Sequence, residues 1–356
     1  MEITILPKDY IITMSDFTVD MYYSDFMLRA LRIKNETNNI IDIEKLSFIV
    51  KRKEQIIKHY EYCKDALNFW IPKWNRKIRI SDFRQREALI GAKNLWDYDT
   101  LSNSTRLNPG EEIGLRNEYF HIIFDEFLDK LSIEVEYVEN SIHEKEIQNI
   151  PIINYENKNK YTFPVKGIWQ VNGNFDCLMG HRCRHSDEFA LDLGKLDVNH
   201  LTPNHKGMKD RDHACFGEKV YAIADGVVVQ VYEEIKENTI YLSKEELGNL
   251  EVIHGYWPLI TGNIVTLEHN GGEYSQYGHL QYHSINLKVG DKVKQGQVIG
   301  LVGNNGLSNG AHLHFQLSDG YDASSRSLPC SFSNICNASG YPIEIISEEY
   351  TMVNAK

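Results

Sequence analysis

The chain of 356 residues is 42% hydrophobic and 25% charged, the make-up of an ordinary soluble globular protein, and it is long enough for two domains of usual size. Its formal net charge of -12 is shared, about -5 up to residue 150 and about -7 beyond it, so neither half has the basic footprint of a nucleic-acid or anionic-membrane binder. No stretch has the length of a membrane-crossing helix, and the start MEITILPKDYIITMSDF lacks the basic and long apolar regions of a signal peptide.

Residues 8 to about 145 read as short strands broken by turns: FMLRALRIKN, IEKLSFIVKR, IIKHYEYC and LSIEVEYVEN are rich in β-branched and aromatic residues, and RLNPGEEIGL supplies a turn. This predicts an immunoglobulin-like β-sandwich over residues 1–146, with one helical interruption around SDFRQREALIGAKNLW. No cluster of catalytic residue types occurs there, so its expected role is binding, positioning or scaffolding. The polar, Asn-rich EIQNIPIINYENKNKYTFP then predicts a linker over 147–164.

Residues 165–356 are again strand-rich, with VYAIADGVVVQVYEE, NIVTLEHNGGEYSQYGHL and LKVGDKVKQGQVIGLVGNNG separated by Gly-containing turns. Two segments read as surface insertions able to wall a cleft, at about 194–215 and 232–262. The second contains a helix candidate, LSKEELGNL, in which Ser243 and Glu246 have capping-box spacing. Cysteines at 63, 177, 183, 215, 330 and 336 include no C-x-x-C pair, and buried free thiols are the expectation.

Chemistry concentrates in LSNGAHLHFQLSDG, residues 307–320. Side chains alternate along a strand, so His312, His314 and Gln316 share one face, and Leu313, Phe315 and Leu317 share an apolar one. Two histidines on one face after a Gly-rich turn are compatible with half of a metal site.

The ordered segments FALDLG, VYAIADGVVVQV, NIVTLEH, YGHL, VGDKVKQGQVIGLVGNNG and NGAHLHFQL resemble the lysostaphin-type zinc metallopeptidases, over roughly residues 165–320. The resemblance implies an antiparallel, duplicated-hybrid-motif-like β-fold and endopeptidase action on peptidoglycan stem or cross-bridge peptides. It also implies one Zn2+ per chain, held by an upstream histidine, Asp192 and His314. Two imidazoles, a carboxylate and an open position suit a catalytic zinc. For the upstream histidine, His185 is favoured and His181 is the alternative, seven and eleven residues before Asp192, where compact family members have four. Cys183 would be an atypical ligand.

By the same resemblance His279 and His312 are catalytic, one taking a proton from water and one stabilising the oxyanion. His205, His213, His254, His269 and His283 are expected to be solvated. Peptidoglycan as substrate would imply a cell-envelope or secreted location. Two other readings stand beside this one. A carrier domain would share the hairpins but needs a modifiable lysine at a tip. A catalytically silent peptidase-like binding or regulatory module would keep the fold without turnover.

Overall fold

The computed structural model describes residues 1–18, 21–79, 86–176, 180–195, 214–238, 242–348 and 351–356. The chain divides into two compact units, Met1–Tyr155 and Glu156–Lys356. It is mainly β, as expected, and among the described residues no helix is long and apolar enough to cross a membrane.

In the first unit, Met21–Lys34 pairs with Glu2–Leu6, Met14–Thr18 and Glu112–Phe124. A second sheet runs from Ile11–Ile12 through Ile142–Ile153, Lys130–Glu139 and Ile41–Arg52 to Gln55–Cys63, with Arg106–Leu107 at its side. Alternate residues of both sheets meet in one core: Phe26 and Leu28 from the first, and Leu46, Phe48, Ile133 and Val135 from the second. Phe120 stacks on Phe26 at 4.9 Å and meets Phe48 edge-on at 5.8 Å, which ties the two layers of this sandwich together.

Two expectations change here. The main helix is Lys64–Arg79, directly after Gln55–Cys63, while the stretch expected to be helical holds only Arg86–Ile90 among its described residues. Leu67, Ile71, Trp74 and Ile78 recur at helical spacing and are buried. Burial of each is worth about 1.5–3 kcal/mol, enough to outweigh the Pro72 and aromatic residues that argue for a break. The expected linker also begins inside a strand, since Ile142–Ile153 pairs with Lys130–Glu139 down to Pro151 opposite Lys130. Most of that strand's side chains are exposed, which explains its polar sequence.

The second unit is built on one long antiparallel sheet. Its strands, in spatial order, are Lys292–Val293, Gly226–Tyr232, Ile264–His269, Glu273–Gly278, Leu313–Ser318, Leu191–Gly194, Gly167–Gly173, Met352–Ala355, Ile335–Asn337 and Pro342–Ile343. Ser327–Leu328 also pairs with Leu313–Ser318, and Lys219–Tyr221 forms a separate ribbon with Val298–Leu301. Leu313, Phe315 and Leu317 are buried, while His312 and His314 on the alternate face are half-buried, so the strand reads as its sequence pattern predicts.

The second insertion forms two helices, Lys244–His254 and Tyr256–Thr261. The first starts with the expected capping box: Glu246 N–H donates to Ser243 Oγ at 3.2 Å, and Ser243 N–H donates to the Glu246 carboxylate at 2.7 Å. Nearly all of the first insertion lies outside the described residues, as do Cys177, His205 and His213. The other five cysteines are free thiols.

Candidate metal centre

Strand register brings the central side chains together. Leu313–Ser318 lies between Glu273–Gly278 and Leu191–Gly194, with His314 opposite Asp192 on one side and Gly278 on the other. Directly opposed residues project to the same face of a sheet, so Asp192 and His314 meet, and His314 Nδ1 lies 3.0 Å from Asp192 Oδ1. The next strand over places Gly173 opposite Asp192. A Cβ there would stand 3.0 Å from Asp192 Oδ2, so the missing side chain leaves room for the carboxylate.

The upstream histidine in this group is His181. A 3-10 turn, His181–Cys183, sets its Nε2 3.2 Å from Asp192 Oδ2. One donor atom from each of His181, Asp192 and His314 lies within 4.8 Å of the others. His185 is not brought into this group. The Arg184 N–H donates to the His181 carbonyl and closes the turn, after which the His185 carbonyl accepts from Ser327 N–H, fixing that residue against the Ser327–Leu328 strand. Cys183 points its thiol at the Gly180 carbonyl.

His279 and His312 complete the cluster. Their ring centroids are 4.7 Å apart, His279 is 6.1 Å from the His314 ring, and His312 Nε2 lies 3.6 Å from Asp192 Oδ1. His279 follows the end of a strand with φ of 56°, a conformation that costs a non-glycine residue energy and marks a constrained position.

Each of the four rings is oriented through the nitrogen that points away from the centre. Nδ1 of His181, His279 and His312 faces the carbonyls of Ala190, Asn305 and Gly310 at 3.1, 2.8 and 2.8 Å. His314 turns Nε2 to Gln316 Oε1 at 3.1 Å. An oxygen of this kind only accepts, so the facing nitrogen carries the proton in a neutral imidazole and the inward nitrogen keeps its lone pair. The sequence pattern had put Gln316 on the histidine face without a role, and nothing in it pointed to Asn305 or Gly310.

Charge follows from the same contacts. Burial alone would raise the Asp192 carboxyl, but the nearby imidazoles of His181 and His312 hold it well below the usual carboxylate range. Burial would lower His181, yet Asp192 outweighs that and it is pushed up to about 9. Burial, together with the neighbouring His312 and His314, pushes His279 down to about 3. Once His181 gives up its inward proton, two imidazoles and a carboxylate present lone pairs that fit a divalent cation, with a position left for water or substrate.

A cleft of about 250 Å³ opens on the cluster. Trp257, Ile260 and Thr261 of the second insertion line it, as do Leu307, Arg184 and Asp187. The insertion is bonded to the loops it covers: the Thr261 carbonyl accepts from His279 N–H at 2.9 Å, and the Leu259 carbonyl accepts from Leu307 N–H at 2.7 Å. Of the histidines expected to be solvated, His269 is buried instead, bonded to the Asp225 carbonyl and to Ser275 Oγ, each at 2.8 Å. His254 shares a 2.8 Å hydrogen bond with the Tyr232 hydroxyl.

Residues 204–325 match the model of peptidase family M23, a span that holds His279, His312 and His314 and begins after His181 and Asp192. The peptidoglycan DD-endopeptidase ShyA of Vibrio cholerae is 29% identical over 161 residues, covering 44% of this chain and 26% of that protein. Lysostaphin of Staphylococcus simulans is 50% identical over 56 residues, 15% of this chain and 11% of its own length. An uncharacterized metalloprotease of Buchnera aphidicola is 38% identical over 71 residues, 20% of this chain and 18% of that protein. The chain thus spans about a quarter or less of the length of these curated relatives. Residues 204–325 of its second unit thus match peptidase family M23, and the relatives this unit resembles include the lysostaphin-type metallopeptidases.

Proposed function

We propose that the second unit is a zinc-dependent endopeptidase acting on peptidoglycan peptides, with His181, Asp192 and His314 as metal ligands and His279 and His312 as catalytic residues. The observation that carries this reading is the common orientation of the four imidazoles, each tied by its outer nitrogen so that its inner one faces the same centre. Structural histidines have no reason to converge in this way, whereas a metal and a proton-transfer site require it.

A bound zinc would polarise a peptide carbonyl and lower the pKa of a water toward about 7. The chain's own residues then handle protons. His279 and His312 each have Nδ1 held by a backbone carbonyl, which leaves Nε2 for the reaction; one accepts the proton of the attacking water, and that ring can then pass it to the leaving amine. The carbonyls of Asn305 and Gly310 hold these rings in place through the cycle, so neither needs to reorient. His181 replaces His185 as the favoured upstream ligand because its Nε2 lies 3.2 Å from Asp192 Oδ2 and it groups with Asp192 and His314. The reading is tested by zinc analysis of the purified protein, followed by incubation with peptidoglycan fragments with and without chelator. Stoichiometric zinc and chelator-sensitive release of new amino termini are expected. A zinc-loaded protein that releases none from any fragment would overturn the catalytic reading.

A further inference from the structure

We propose that Arg184 anchors a carboxylate of the substrate, so that the peptide cleaved bears a free carboxylate on a residue flanking the scissile bond and is not an uncharged glycyl chain. This rests on the peptidase reading above and narrows its substrate class.

Arg184 lines the same cleft as the metal-site residues, and among the described lining residues it is the one Lys or Arg. Its Nη1 donates to Asp187 Oδ2 at 3.1 Å. The other Asp187 oxygen accepts from Ser186 Oγ at 2.6 Å, so both carboxylate oxygens are engaged within the turn. The pair is asymmetric: the Asp187 side chain is 12% exposed and that of Arg184 is 34%. A buried carboxylate therefore tethers one corner of a guanidinium whose Nε and Nη2 have no hydrogen-bond partner among the described residues.

Tethering fixes the orientation of the planar fork before substrate arrives, which lowers the entropy lost on binding. The free edge offers donors in the geometry that a carboxylate accepts with two parallel bonds. Charge points the same way. Among the described lining residues, Asp187 and Asp192 together balance a divalent cation, and Arg184 adds a positive charge beyond that balance. An uncharged glycyl substrate would cover this guanidinium without returning a charged partner, a cost that a carboxylated peptide does not incur.

The test uses two peptides in which a D-alanyl group is linked to the amino group of a diamino acid. They are identical except that the carboxylate on the carbon bearing that amide is free in one and amidated in the other. Hydrogen bonds to a charged partner imply that the zinc-loaded parent prefers the free carboxylate by about 10- to 100-fold in kcat/KM. Arg184→Gln should bring that ratio close to 1, and Arg184→Lys should leave only a few-fold preference; zinc content and melting temperature confirm that each variant is intact. If the Gln variant does not fold, the Lys variant decides. A parent ratio below about threefold, or a full preference retained without the guanidinium, overturns the assignment. If the parent cleaves neither peptide, the peptidase reading fails by itself, and calorimetric affinities of parent and variant for the two peptides judge Arg184. A preference lost with the guanidinium supports the anchor, and equal affinities or no binding of either peptide overturn it.

Discussion

Replacing His181 by alanine removes one of three proposed donors while leaving Asp192 and His314 in register across their strands. Zinc sites built from protein donors bind with about 10 kcal/mol at the low end, so one donor of three is worth about 3 kcal/mol, or about 100-fold in affinity. His185→Ala, which leaves all three donors in place, should stay within about threefold of the parent. Competition against a chromophoric chelator reads these constants directly. Melting gives an independent check: at free zinc 100 times the parent Kd the parent gains about 2.7 kcal/mol, whereas a variant weakened 100-fold gains only about 0.4 kcal/mol. A His185→Ala protein that loses zinc while His181→Ala retains it would refute the argument from donor geometry.

Metal binding should also depend on pH with a definite sign. In the metal-free protein His181 is raised to about 9 by Asp192 and is protonated at pH 7, so zinc must displace a proton. Affinity should therefore rise about tenfold per pH unit from 7 to near 9, with proton release measured by calorimetry in buffers of different ionisation enthalpy. An affinity independent of pH over that range would contradict the His181–Asp192 pairing. Gln316→Leu removes the acceptor that orients His314, and zinc affinity should fall about 10- to 100-fold with the fold intact; an unchanged chelator titration would remove Gln316 from the site. His312→Ala should keep zinc and lose about 100- to 10,000-fold in kcat, and near-parental turnover would exclude it from proton transfer.

The half of the site that lies on strands was legible because strand geometry has a short, fixed period. Alternation alone put His312, His314 and Gln316 on one face and Leu313, Phe315 and Leu317 in the core. The placing of His181 has a reason that no periodicity encodes: a single 3-10 turn, closed by the Arg184 N–H on the His181 carbonyl, sets its ring against Asp192. The orienting carbonyls of Ala190, Asn305 and Gly310 were equally hidden, since a backbone acceptor leaves no trace in residue identity. In the first unit Leu67, Ile71, Trp74 and Ile78 did carry a helical period, but Pro72 and the run of aromatics masked it. The tertiary burial that resolves such a conflict comes from the sheet it packs on, distant in sequence.

The carbonyls of Leu259 and Thr261 make the short helix that walls the cleft inseparable from the groups beneath it. A wall of this kind cannot be exchanged as a loop tip can, because the backbone that presents Trp257 and Ile260 to a peptide also fixes where His279 begins its turn. Widening the cleft for a bulkier substrate would shift the imidazole proposed to serve the reaction, so a change in selectivity and a change in rate would arrive together. A new specificity in this scaffold is then reached most cheaply from the Arg184 side, where the side chain is held by its own turn and can be altered while the wall stays still.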